Sequence, residues 1–281
     1  MSIKEKQNNK EYLSLQYSAR HAYNTAELFG ILSWLLMLIL ILVGWFDEGK
    51  HPTMIAYVTA IITIIGAVID YSRTKIIKLA AGIRTYIDCN LFGFKHKSVY
   101  NGYDVANLLS YRDFVSKHHR KTYEKQISHS GTDKYKGVKD WYILNDSMTF
   151  QEEIKTAQKE NCGFDEKISK YSCAFSVIVF IVFAICIFKF DNYFLLICAF
   201  IPAFLKIAEE MIAYKECNRI HVAEKIIISK LDDTDYDEKL SLQLQECIDE
   251  RRQLQFITHS LFHKLSSTRL HKRYSEQRDS Y

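Results

Sequence analysis

Apolar residues in this chain are bunched into four dense blocks, residues 28–46, 53–69, 172–188 and 193–205, with long polar stretches around them. No block contains Asp, Glu, Lys or Arg. An α-helix rises about 1.5 Å per residue, so roughly 20 apolar residues cross the hydrocarbon core of a bilayer. The first block meets that length. The second and third lie near the lower bound of about 17 residues. The fourth is short enough to read as a buried core helix. It reaches spanning length if the helix runs on through Ile207 toward Met211 with Lys206 snorkelling to the interface. Residues 47–52 and 189–192 are loops short enough to join antiparallel neighbours. The pattern predicts a mainly α fold, with four transmembrane helices arranged as two hairpins, a mostly helical cytoplasmic domain and a long helical C-terminal tail.

The polar stretches carry weaker periodicities. Ile76, Ile77, Leu79, Ala80 and Ile83 continue the second block as a helical stripe. Asn101-Gly102 marks a turn, and a helix is expected over residues 107–123. Residues 128–137 read as a polar loop. Ser147 or Thr149 would then cap a helix through 151–161, with Glu152 and Glu153 in its first turn. Beyond the fourth block a helix is expected over 209–231, then a polar break at 232–237. Leu240, Cys247, Leu254 and Leu261 recur every seven residues, with Leu244, Ile248, Ile257 and Leu265 beside them. That stripe needs a partner, either the central domain or a neighbouring subunit. The expected divisions are an N-terminal helix (1–27), the first hairpin (28–69), a sensor domain (70–171), the second hairpin (172–211) and the tail (212–281).

Charge orients this layout. Residues 70–171 hold 18 of the 37 Lys and Arg, residues 206–281 hold 13, and each hairpin loop holds one. By the positive-inside rule both termini and the central domain are expected in the cytoplasm. A polar stretch precedes the first block and no small-residue cleavage site follows it, so no cleavable signal peptide is expected. The net charge of +4 carries no nucleic-acid signature, so the lipid bilayer is an expected partner and DNA or RNA is not. Seven cysteines without a C-x-x-C pair suggest neither a disulfide framework nor a metal site. Gly-x-Ser-x-Gly, P-loop and His-Glu-x-x-His patterns are absent, which argues against an enzyme. His118 and His119 point about 100° apart on a helix, and Asp232, Asp233 and Asp235 lack EF-hand spacing.

Two features within the spans invite function. Ala56, Thr59, Thr63, Ala67 and Asp70 share one face of the second span. Small and hydroxyl residues there allow close helix packing or line a water-filled path. Pro202 removes a backbone hydrogen bond from the fourth span, a potential hinge, although proline is common in membrane helices.

Short motifs in order along the chain carry a resemblance. They begin with Gln7-Asn8 followed by Leu13, Arg20, Tyr23 and Ala26. Asp140-Trp141-Tyr142 comes next, then Gln158-Lys159-Glu160-Asn161 with Phe164-Asp165, and finally Leu244-Gln245, Ile248 and Arg251. With the two-plus-two span pattern, the chain resembles the SMODS-associated four-transmembrane pore-forming effectors of bacterial cyclic-oligonucleotide anti-phage signalling (CBASS). It departs where that family often has Q-E-x-F-D after span two, since residues 84–88 read RTYID. The resemblance implies an inner-membrane effector with no enzymatic activity and no cofactor. A cognate nucleotidyltransferase would supply a cyclic oligonucleotide, and the effector would open or assemble a pore that causes abortive infection. The alternative is a non-conducting anchored receptor or scaffold for a cytoplasmic partner. One four-helix bundle has a filled core, so a pore implies a homo-oligomer. For ligand binding, Trp141 and Tyr142 offer stacking surface, Gln158 and Asn161 share a helix face, and Arg112, Arg120 and Arg251 offer phosphate partners. The competing reading makes Trp141 a core anchor and Gln158 and Asn161 internal polar links.

Overall fold

The computed structural model describes residues 2–47, 50–131, 133–187, 193–233 and 236–254. A short helix α1 (Ile3–Gln7), closed by a capping box between Ser2 and Glu5, leads into α2 (Lys10–Asp47). Then follow α3 (Pro52–Phe92), β1 (Val99–Tyr100), β2 (Tyr103–Asp104), α4 (Val105–His118), α5 (Arg120–Ser128), α6 (Phe150–Ile187), α7 (Tyr193–Asp233) and α8 (Glu238–Arg251).

Four of these helices set the architecture. At 38 to 41 residues each, they are about 57–62 Å long, roughly twice the hydrocarbon thickness of about 30 Å. Each therefore has an apolar half and a polar half, and the molecule has two storeys. The helix expected over 151–161 is the start of α6, which continues without a break into the third apolar block. α7 likewise continues from the fourth block to Asp233. The apolar storey exposes large aliphatic side chains such as Leu35, Ile39, Ile61, Ile64, Ile178 and Ile181. Such a surface is stable against lipid and costly against water.

α2 and α3 lie antiparallel through both storeys. Ser33 meets Asp70 and Gln16 meets Arg84, so one number falls as the other rises. Gly66 lies within van der Waals reach of Met37 in the apolar half. In the polar half Ile83, Ile87, Leu91 and Phe92 of α3 form a core with Leu15, Tyr100 and Tyr142.

The Asn-Gly turn expected at 101–102 closes a small hairpin, with φ of 53° and 90° at the two residues. This is the positive-φ pair that a two-residue turn requires. The hairpin pairs Val99 with Asp104 and Tyr100 with Tyr103. Its Tyr100 carbonyl lies 2.7 Å from where a Cβ on Gly82 would sit, so only glycine fits that turn of α3. The single helix expected over 107–123 is divided at His119, whose φ of −115° and ψ of 33° turn the chain between α4 and α5. Thr149 and Glu152 exchange capping bonds at the start of α6, at 2.7 Å and 3.4 Å. In the tail, Leu244 and Ile248 of α8 pack with Cys162 and Leu231 of α6 and α7. Asp235, Ile257, Leu261 and Leu265 lie outside the described residues.

Candidate functional site

Where the two storeys meet, α3 and α7 face each other with complementary charges. Lys206 of α7 reaches Asp70 of α3, and one turn further Arg73 of α3 faces Glu210 of α7 at 3.7 Å. Both numbers rise together, so the helices run parallel through this two-rung ladder. Lys206 also donates to Ser33 of α2 at 2.9 Å, and Ser33 donates to Asp70 at 3.3 Å. Ser33 lies about 20 Å along α2 from Phe46, within the roughly 30 Å hydrocarbon depth. The side chains of Lys206, Arg73 and Glu210 are 6%, 3% and 6% exposed, and that of Asp70 is 31% exposed. The snorkelling expected of Lys206 is thus replaced by an internal ion pair. A lone lysine in an apolar run looks as though it must reach for water, and the sequence does not display its partner far upstream. Removing one member of such a buried pair costs about 3–5 kcal/mol, whereas replacing both is near neutral.

In the polar storey a second buried network converges on Asp88 of α3, itself 1% exposed. Tyr142 Oη donates to Asp88 Oδ1 at 2.7 Å. Arg252 Nη1 and Gln245 Nε2 donate to Oδ2 at 2.7 and 3.0 Å. Asn161 Nδ2 donates to the Tyr142 hydroxyl at 3.0 Å. Gln158 and Ser241 exchange bonds at 2.9 Å, and Gln158 Nε2 also reaches Gln245 Oε1 at 3.2 Å. Gln7 brackets the Tyr142 peptide through both amide atoms, at 2.8 and 3.0 Å. One carboxylate therefore ties together α1, α3, α6, α8 and the 141–144 segment. Burial drives the Tyr142 phenol pKa far upward, with Asp88 adding to it, so the group stays a neutral donor.

One turn before Asp88, Arg84 Nη1 donates to Gln16, and the guanidinium stacks 3.7 Å from the Trp141 ring centroid. Burial, reinforced by Arg252, lowers the Arg84 pKa to about 10. Glu160 is nearly closed off; burial pushes its pKa up to about 7 although the Ile143 N–H donates to it at 3.1 Å. Arg251 pairs with Glu224 at 2.8 Å, and Glu224 also meets His221 at 2.8 Å. His221 and Glu224 border a cavity of ≈ 320 Å³ between α6 and α7, also lined by Lys159, Cys162, Glu166, Lys225 and Asp232. Lys159 pairs with Asp232 and Lys225 with Glu166, and Glu224 adds a third carboxylate, so the lining shows no preference for an anion.

The residues proposed from sequence for ligand binding separate into two places. Tyr142, Gln158, Asn161 and Arg251 lie in the interior networks. Trp141 lies beside them, partly exposed, with one ring face covered by Arg84. Arg112 and Arg120 lie apart, on α4 and at the start of α5, paired with Asp113 and Glu124 at 2.8 Å. On α3, Ile55, Ile62 and Gly66 are buried. Ala56 and Thr59 sit at the edge of that seam, and Thr63 and Ala67 face outward. Thr63 Oγ1 donates to the Thr59 carbonyl at 2.8 Å. Asp70 belongs to the ladder, and Pro202 lies one turn before Lys206 inside α7. Sequence reasoning missed Asp88, Arg84, Gln245, Arg252, Glu224 and the pairing role of Lys206. A signal existed for two of them: Arg84 and Asp88, four apart, interrupt an otherwise apolar helical run.

Comparison with curated proteins and with solved structures finds no match. A family model matches residues 1–274, nearly the whole chain. With its mainly helical fold and its long apolar helices, this membrane protein belongs to the family of SMODS-associating 4TM effector domains.

Proposed function

We propose that the protein is a non-enzymatic effector of anti-phage defence that permeabilises the bacterial inner membrane when a cyclic oligonucleotide from a cognate nucleotidyltransferase binds its cytoplasmic storey. The family's association with SMODS systems supports the setting. The observation that carries the mechanism is helix continuity. α3, α6 and α7 run unbroken from the Asp88 network, or the helices packed on it, into the apolar storey. A ligand that shifts α6 and α8 against α3 therefore moves α7 against α3 at the ladder. Trp141, partly exposed and backed by a guanidinium, offers a ring face for a nucleobase.

Separating α7 from α3 would break the Asp70–Lys206 and Arg73–Glu210 pairs at membrane depth. Unpaired charges there are costly unless water enters with them, so opening of the seam and hydration occur together. A single copy has too few helices for a wide path. Symmetric copies meeting along the outward Thr63 and Ala67 face of α3 would supply one, with both termini in the cytoplasm.

The test uses the full chain in dye-loaded liposomes with candidate cyclic di- and trinucleotides. Leakage with one ligand, abolished by Trp141→Ala or Thr63→Leu, is the expected result. Tight binding without leakage in any lipid would point instead to the scaffold reading. Neither binding nor leakage would refute both.

A further inference from the structure

The corner between α4 and α5 packs on α2 close to the start of its apolar run. The His119 ring sits 4.4 Å from His21 of α2, and Tyr111 Oη meets His21 Nδ1 at 3.0 Å. His21 and Leu28, where the apolar run begins, are two helical turns apart, about 10 Å. The headgroup layer on each side of the hydrocarbon is about 5–8 Å thick. Through His119 the corner is held about 10 Å along α2 from Leu28, and it is fixed from behind by Val115, Tyr123, Leu13 and Tyr17 in a shared core.

The outer side of this corner is basic. Lys117, His118, His119, Arg120 and Lys121 are consecutive and all exposed. Arg112 and Arg120 are neutralised locally by Asp113 and Glu124. Lys117 and Lys121 have no carboxylate partner among the described residues. Beside them Phe114 is 49% exposed, with its ring 4.3 Å from that of His118 and stacked on Tyr111 at 6.3 Å. Phe114 thus adds an exposed aromatic ring to the edge of the basic patch. At a bilayer boundary the ring enters the interfacial region while the ammonium groups reach phosphates.

We infer that the α4–α5 corner docks on anionic phospholipid headgroups through Lys117, Lys121 and Phe114. The occupant is lipid because a helix packed on α2 holds the patch within reach of the bilayer that α2 enters. Docking would fix the cytoplasmic storey against the membrane plane and make its position sensitive to lipid charge. The inference requires only that the apolar storey is in a membrane, and it stands whether or not the chain conducts.

Hydrogen exchange of the full chain in nanodiscs tests it, comparing phosphatidylcholine alone with phosphatidylcholine plus phosphatidylglycerol. Peptides covering residues 113–125 are expected to exchange about tenfold more slowly in the anionic discs. Lys117→Glu with Lys121→Glu should erase that difference, and Phe114→Ser should reduce it, while peptides around Asp88 stay unchanged as a check on folding. Equal exchange in both discs would overturn the inference, as would a difference that survives charge reversal. Equal protection by inositol hexaphosphate in neutral discs would also overturn it, because the patch would then be a site for soluble polyanions.

Discussion

At Asp88 a carboxylate that is 1% exposed receives a phenol, a carboxamide and a guanidinium. Asp88→Asn keeps the shape but leaves the buried Arg252 cation with only its longer, 3.5 Å contact to Asp249. It is expected to destabilise the polar storey by about 3 kcal/mol. Tyr142→Phe removes the donor to Asp88 and the acceptor for Asn161 but strands no charge, and should cost about 2 kcal/mol. Thermal unfolding of both variants in detergent checks the order, and equal losses would contradict the hub role of Asp88. Glu160 gives a pH signature. Its folded-state pKa of about 7 lies above the ordinary 4.5, so the unfolded chain releases this proton first. The stability it contributes is full below about pH 4.5 and is lost as pH rises through 7, about 3 kcal/mol in all. Glu160→Gln should therefore raise the melting temperature at pH 8, leave it unchanged near pH 4, and flatten the profile between. A profile identical to wild type would mean that Glu160 is already ionised at neutral pH.

Among the helices, the ladder makes a prediction that separates pairing from mere burial. Asp70→Asn or Lys206→Met alone leaves one charge buried without its partner and should weaken the packing of α7 on α3 by about 3–5 kcal/mol. Raised dye leakage without ligand is the expected readout. The double variant Asp70→Asn/Lys206→Met should recover most of the loss, as should the exchange Asp70→Lys/Lys206→Asp. Failure of both pairs to recover would remove the ladder from the account. Pro202, one turn away, deletes a backbone hydrogen bond where α7 would have to bend. The elements differ in how far the sequence disclosed them. The apolar blocks were legible because lipid exposure demands unbroken hydrophobic runs. The turn at Asn101-Gly102 was legible because few residues tolerate positive φ. Helix continuity was legible beyond the second and fourth blocks, but not from residues 151–161 into the third, where charged residues read as an end while the backbone carries on. Lys206 was misread for a related reason: its partner Asp70 is far away in sequence, and pairing at such distance leaves no periodic trace.

In the molecule as a whole, each long helix has one end in a polar network and the other in the apolar storey. Of the residues that looked from sequence like candidate ligand contacts, Trp141, Tyr142, Gln158, Asn161 and Arg251 lie in or beside the interior networks, while Arg112 and Arg120 lie apart. Most polar groups of the first five are engaged across helices, which makes these residues the couplings between elements; Trp141 retains an accessible side. Sequence spacing could place these residues on helix faces but could not choose between a ligand and another helix as their partner. The central claim is that ligand binding below drives the hairpins apart at the ladder. Its most direct test replaces the native cysteines with alanine, introduces Arg73→Cys and Glu210→Cys, and joins the new thiols with a short reducible cross-linker. Leakage on adding the activating cyclic oligonucleotide should vanish in the cross-linked protein while binding persists, and should return when reductant cleaves the link. Undiminished leakage from the cross-linked protein would show that the pore opens without parting α3 from α7.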